Sequence, residues 1–224
     1  MDGARLDEFE PRIEVRVART LDDLQRVAVV RALVYMSEQD CPYEEEYDGN
    51  DFAGATHLIV EIGGEPAGCL RLRWFAGFAK VERVCVRKGA RSGRAARAMM
   101  THAIEIIRRK GYTRFIGQVQ EHLIPYWKRY GFIHRAERGV FVFSDRAYAE
   151  MEARPEPHPR ALTMDTDPLV LDRPEGDWDR PGPLDRSVLR GASPTQFDRV
   201  REQAAKTERP TEQEQPERAV EETR

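Results

Sequence analysis

Only three cysteines, Cys41, Cys69 and Cys85, occur in 224 residues, and none forms a C-x-x-C pair. That excludes a disulfide-stapled secreted scaffold and a cysteine-based zinc ribbon. The expectation is a reducing, cytoplasmic setting and no bound metal. No run of about 18 apolar residues exists, so no membrane-spanning helix is expected. The first ten residues, MDGARLDEFE, are acidic and contain no apolar core, so they do not read as a signal peptide. There is also no surplus of positive charge. A net charge of -3 argues against a chain devoted to coating nucleic acid, although it leaves room for local basic patches.

Charge, by contrast, is plentiful. Charged residues make up 33% of the chain and hydrophobic ones 40%, the balance given by a folded domain averaged with a polar extension. Composition places the join near Met151, where the proline-punctuated run RPEPHPR at 154–160 begins. The expected organisation is a tail over 1–11, one domain over 12–150, a partly ordered extension over 151–206 and a disordered tail over 207–224. No internal repeat is evident.

Within the domain the periodicity alternates between that of strands and that of helices. IEVRVA at 13–18 alternates like a half-buried strand. Thr20, with Asp23 three residues on, predicts a capped helix carrying Leu21, Leu24, Val27, Ala28 and Val34 and ending before Ser37. HLIVEI at 57–62 and AGCLRLRW at 67–74 predict two strands joined by a glycine turn, and AKVERVCV at 79–86 a third. From Ala95 the period is helical, with Ala96, Met99, Ala103 and Ile106 on one face; a cationic last turn and Gly111 mark its end. TRFIGQV at 113–119 reads as a strand, LIPYWKRY at 123–130 as a short helix ended by Gly131, and GVFVF at 139–143 as the closing strand. Residues 161–171 are expected to add an edge strand, and 193–206 a helix. The fold class is α+β: a mixed, mostly antiparallel sheet of about six to seven strands flanked by helices, with a C-terminal extension.

The run RSGRAA at 91–96 lies where a strand passes through a turn into a helix. The first amides of a helix lack internal partners and the helix dipole is positive there, so such a turn suits an anion. Small residues at Ser92, Gly93, Ala95 and Ala96 let a ligand approach the backbone, while Arg91 and Arg94 can add charge-assisted bonds. The spacing fits neither the P-loop nor the dinucleotide fingerprint.

These residues resemble the GNAT family of acyl-CoA-dependent N-acyltransferases, whose signature [QR]-x-x-G-x-[GA] is met by Arg91 and Ala96, with Arg94 standing where glycine is usual. LIPYWKRYGF at 123–132 is similar to that family's late helix. RALVYMSEQDCPY at 31–43, followed by DGND at 48–51 and TH at 56–57, resembles the ElaA-like subgroup. The resemblance covers roughly residues 13–145 and implies the GNAT fold, acetyl-CoA as acyl-donor substrate, and a small-molecule or peptide amine as acceptor, with room for a homodimer.

What the resemblance implies for single residues follows. Val84, Cys85 and Val86 should line a slot for pantetheine between two splayed parallel strands. Arg91 to Ala96 should cradle the pyrophosphate, and Gln120 should offer a polar contact. Glu82 stands where relatives place a general base. Trp127 occupies the position of a tyrosine that protonates the leaving thiolate; indole has no acid proton to give, so Tyr130 is the substitute and Trp127 a cofactor-side contact, while Tyr126 should face away. Glu38, Gln39, Tyr43 and His57 belong to the acceptor side. Cys41 is excluded as a nucleophile because its acidic neighbours would raise its pKa.

Three other readings remain open at this level. A non-catalytic acyl-CoA-binding domain would keep the pocket without turnover. Acyl-homoserine-lactone-type transfer shares the general fold. Nucleic-acid binding through Arg83, Arg87, Lys88, Arg91, Arg94 and Arg97 would be steeply salt-dependent, but no aromatic platform accompanies that patch, and it is not expected.

Overall fold

The structure, a computed structural model, describes residues 11–189 and 194–207. The chain forms two units, Met1–Arg180 and Pro181–Arg224.

In the first unit, β1 (Ile13–Val17) leads into α1 (Leu21–Arg31) through the capping box that the sequence predicts. Thr20 Oγ1 accepts from the Asp23 amide at 3.1 Å, and Asp23 accepts from the Thr20 and Arg19 amides at 3.1 and 2.9 Å. The helix does not stay α-helical to Ser37. Residues Ala32–Ser37 widen into π-helical turns, which set Tyr35 so that its hydroxyl donates to the Val84 carbonyl at 3.0 Å. A single turn, α2 (Tyr43–Glu46), follows.

Three antiparallel strands come next: β2 (Thr56–Ile62), β3 (Glu65–Phe75) and β4 (Phe78–Val86). Gly63 and Gly64 join the first two with φ of 61° and 85°, left-handed values that match the twist of a tight hairpin. Helix α3 (Arg94–Arg109) then crosses back to β5 (Phe115–Gln120), which lies parallel to β4. Beyond α4 (Ile124–Lys128) are β6 (Ile133–His134), β7 (Val140–Phe143) and β8 (Arg146–Ala153).

The sheet has eight strands among the described residues, ordered β1-β2-β3-β4-β5-β8-β6 with β7 also on β8. It exceeds the expected six or seven, and the strands not expected are β6 and β8. Of the strand expected over 139–143, Val140–Phe143 form β7, but β8 is what pairs with β5, from Phe115↔Ala153 to Gln120↔Tyr148. RAYAEMEA, rich in alanine and glutamate, has weak intrinsic strand preference, and burial between two neighbours overrides it.

Both faces of the sheet are covered. Val27, Val30 and Val34 pack on Ile59, Cys69 and Cys85 on one face. A larger cluster includes Met99, Ala103 and Ile106 of α3 together with Leu58, Leu70, Val81 and Phe115.

The compact unit continues to Arg180, past the boundary expected at 150. Residues 154–180 form a strap: the Leu162 amide bonds to the Arg109 carbonyl at 2.8 Å, Glu175 accepts from Thr56 and Lys110, and Trp178 is buried in the larger core. The edge strand expected over 161–171 is absent there. Asp167 instead caps a helical turn, α5 (Pro168–Leu171), by accepting from the Leu169 amide.

The second unit contains α6 (Asp185–Val188) and α7 (Gln196–Thr207), the latter close to the helix expected over 193–206 and capped reciprocally by Thr195 and Asp198. Of the tails expected over 1–11 and 207–224, residues 1–10 and 208–224 lie outside the described residues, and Thr207 ends α7. Among the described residues no helix is long and apolar enough to cross a membrane.

Candidate active site

Strands β4 and β5 pair over three positions only, Ala79↔Phe115 to Val81↔Gly117. The cause lies in β4. Against β3 its register slips between Cys69 and Arg71, and Arg83, within the slip, has φ of 54°. Such a bulge bends a strand and ends its pairing. Past Val81, then, β4 departs from β5, and its β5-facing backbone edge has no strand partner among the described residues. A cleft of about 890 Å³ occupies the gap, a size suited to a substantial organic ligand.

The bulge is held by buried charge. Arg31, at the end of α1, bonds to Glu46 and Asp51, while Arg71 forks onto both Asp48 oxygens at 2.8 and 2.7 Å and reaches Asp51 at 2.8 Å. Arg83 meets Glu46 at 3.1 Å and Asp48 at 3.3 Å. Burial pushes up the Asp48 carboxyl, but the bonds from Arg71 outweigh it and hold the group well below the usual carboxylate range. Arg31, the DGND loop and the bulge residue thus form one network, which requires a short loop carrying acids at fixed spacing. Removing one partner of a buried pair would leave a charge uncompensated.

Of the residues singled out in the sequence, Glu82, Val84, Cys85, Val86, Arg91, Ala96, Gln120, Trp127, Glu38 and Gln39 all line this cleft. Glu82 stands at the point where the strands part. Its side chain is 9% exposed, with Lys80 at 3.3 Å, Arg71 at 3.4 Å and Arg73 at 3.7 Å. Its Oε1 is buried and makes no hydrogen bond.

Gly93, at φ 80°, caps α3; a Cβ built there meets no atom within 4 Å. Arg91 points back, donating to the Val86 carbonyl at 2.8 Å and pairing with Glu38. Ser92 is exposed and Ala95 buried, and Arg94 lies along a separate groove with Ile13, Val15 and Arg97.

Gln120 donates to Gln39 at 3.0 Å and to Tyr148 at 3.1 Å, which brings the end of β5 and the acceptor-side loop together. Trp127 is buried over Gly117 and against Phe132, and one edge reaches the cleft.

Four residues lie elsewhere or face differently from expectation. Tyr130 does not line the cleft; its hydroxyl donates to that of Tyr126 at 3.0 Å. Tyr126, expected to face away, does line it, because α4 has only five residues and follows a 3-10 turn, so simple helical spacing fails there. Burial first, and the Tyr130 contact next, push the Tyr126 phenol well above its ordinary range, so it stays protonated at neutral pH. His57 is buried in the charge network, with Nε2 3.0 Å from the Asp51 carbonyl; burial holds it below its usual pKa, and it is a neutral structural donor there. Tyr43 is 65% exposed, its ring tilted 46° against that of Tyr47.

Cys41 is buried against Ser144, and burial pushes its thiol up, in keeping with its exclusion as a nucleophile. Sequence reasoning missed Tyr35, Arg146, Tyr148 and Phe143 of the cleft wall. The last three belong to the β7–β8 hairpin, whose turn at Ser144 and Asp145 has φ of 48° and 57° without the usual glycine or asparagine signal.

A profile of the acetyltransferase (GNAT) family matches residues 22–132. Over 116 residues the chain is 31% identical to the uncharacterized N-acetyltransferase YjcF of Bacillus subtilis, covering 52% of this chain and 82% of that one. An acyl-CoA N-acyltransferase from Pseudomonas aeruginosa superposes with a TM-score of 0.58 at 28% identity, covering 63% of this chain and 99% of its own. Escherichia coli ElaA shares the fold, with a TM-score of 0.58 at 21% identity over 64% of this chain and all of its own. The chain belongs to the acetyltransferase (GNAT) family and is an acyltransferase.

Proposed function

We propose that this enzyme, of the ElaA-like subgroup, moves the acetyl group of acetyl-CoA to a primary amine of a small molecule or peptide in a single ternary complex. The observation that carries the reading is Glu82 Oε1, a buried carboxylate oxygen with no hydrogen-bond partner at the point where β4 and β5 part. The donor's pyrophosphate rests on the amides of Gly93 to Ala96, with Arg91 turning from Glu38 to meet it. Pantetheine follows the edge of Val84, Cys85 and Val86 that has no strand partner, and Gln120 and Trp127 close the other side.

The neutral amine attacks the thioester carbonyl carbon. Glu82, directly or through one water, accepts the proton that the nitrogen loses. As the C–S bond breaks, Tyr126 donates a hydrogen bond to the departing sulfur, with Tyr130 behind it. A thiolate leaves more readily than an alkoxide, since a thiol is the stronger acid, so a phenol that only hydrogen-bonds it is enough. Glu38 and Gln39 form the acceptor-side rim; Tyr43 and His57 act from behind it, through the loop.

Calorimetry with CoA, acetyl-CoA and S-acetylpantetheine, followed by thiol release against an amine panel, tests the proposal. Micromolar binding that needs the pyrophosphate, with amine-dependent release, is the expected result. E82Q should bind CoA unchanged and lose about 100-fold or more in kcat. CoA binding without release for any primary amine would sink the acceptor class, and equal rates for E82Q and wild type would remove Glu82 as base.

A further inference from the structure

Arg146 opens β8 and enters the cleft beside the β7–β8 turn. Among the described residues it has no carboxylate partner. Its one hydrogen bond runs from Nη2 to the Gln39 carbonyl at 3.3 Å, and its Nε is buried with no acceptor. The neighbouring cations of the cleft differ: Arg91 has Glu38, Arg83 has Asp48, and Arg73 and Lys80 share Glu82. A guanidinium presents donors in a fixed fork, and leaving a buried one unsatisfied is costly unless an anion completes the set.

The surroundings suit a carboxylate. Gln120 and Tyr148 are bonded to each other at 3.1 Å and sit at paired positions of β5 and β8. Phe141 and Phe143 pack on Tyr148 with ring centroids 5.9 and 5.8 Å away, which fixes that wall. The cleft therefore carries two unfilled polar atoms of opposite demand, an acceptor oxygen on Glu82 and a donor on Arg146.

We propose that Arg146 anchors a carboxylate of the acceptor, so that the substrate amine is an amino-carboxylate compound held by its acid end on β8 and offered by its amine to Glu82. This rests on the acyl-transfer reading above.

Thiol release is measured with matched trios: a free amino acid, its carboxamide and the decarboxylated amine. Wild type should favour the acid over the amide by about tenfold or more in kcat/KM, the scale of one charge-assisted hydrogen bond. R146Q should abolish that preference through KM while leaving the amide rate and CoA affinity unchanged, and R146K should restore part of it. Melting temperatures check that both variants fold.

Equal rates for acid and amide in wild type, or an R146Q defect common to all three compounds, would overturn the proposal. Weakened CoA binding in R146Q would also overturn it, since Arg146 would then be a donor-phosphate ligand. Calorimetry of the CoA-saturated protein with the same trios reads acceptor binding without turnover, and no acid preference there counts against it equally. Absence of CoA binding by wild type would instead sink the acyl-transfer reading; acid-selective binding to the protein alone would still support the anchor.

Discussion

Glu38 holds the guanidinium of Arg91 in an ion pair while the same guanidinium donates to the Val86 carbonyl at 2.8 Å. A carboxylate thus occupies the side chain proposed to meet the donor's pyrophosphate. Both partners are partly exposed, at 44% and 29% of their side chains, so the pair is worth about 0.2–1 kcal/mol. Glu38→Gln should tighten CoA binding by up to about fivefold, read by calorimetry at low salt, with the gain shrinking as salt screens the pair. Unchanged affinity would mean that Arg91 does not exchange partners.

Gly93 tests the anion turn itself. Its φ of 80° strains any L residue, yet the space where a side chain would begin is open. Gly93→Ala should lower the melting temperature modestly and keep CoA affinity within a few-fold. Gly93→Asp adds the same strain plus a negative charge at the phosphates, and CoA affinity should fall by more than about tenfold. Similar affinities for the two variants would place the pyrophosphate elsewhere.

Gly117 is where the parallel pairing stops and where Trp127 lies against the sheet. A Cβ there would stand 2.4 Å from Trp127 Cζ3. Gly117→Ala should destabilise the fold by about 1–3 kcal/mol, the usual range for overpacking, and weaken CoA binding because Trp127 lines the cleft. Adding Trp127→Phe, with its smaller ring, should recover part of the stability. A Gly117→Ala melting temperature equal to wild type would show that Trp127 shifts freely.

Acid should unfold the protein in two stages. Burial holds His57 and His102 below the usual histidine pKa, so the unfolded chain takes up protons first and stability falls as pH drops below about 6.5. Burial would raise Asp23, but bonds from the Arg19 amide, Arg16 and Thr20 outweigh it and hold the carboxyl at about 2. Its contribution is complete above about pH 4 and is lost as pH falls toward its folded value; Asp48, held lower still by Arg71, follows. Melting temperatures measured from about pH 8 to about pH 3 should show both declines. A flat profile between about pH 7 and pH 5 would mean that the histidines protonate in place.

Much of the fold was legible because the relevant forces are local. The capping box at Thr20 and Asp23, the two-glycine hairpin and the apolar face of α3 each depend on residues within a few positions of one another. β8 was not legible, since alanine and glutamate lack strand preference and only the slot between β5 and the outer strands makes them one. Tyr126 was misplaced because five helical residues after a 3-10 turn do not follow a helical wheel.

Sequence by itself determined the order of the strands and long helices from β1 to β5, the glycine-bearing turn before α3 and the acids and arginines of the 31–51 segment, all of which are written in short-range spacing. Tertiary structure alone decided which of those groups confront one another. The bulge at Arg83 opens β4 from β5 only because Arg31, Arg71 and three carboxylates from a distant loop converge on it. Glu82 and Arg146, 64 positions apart in the chain, line the same cleft for the same reason. Contacts between groups so far apart depend on strand pairing and buried charge balance, quantities that no local window contains.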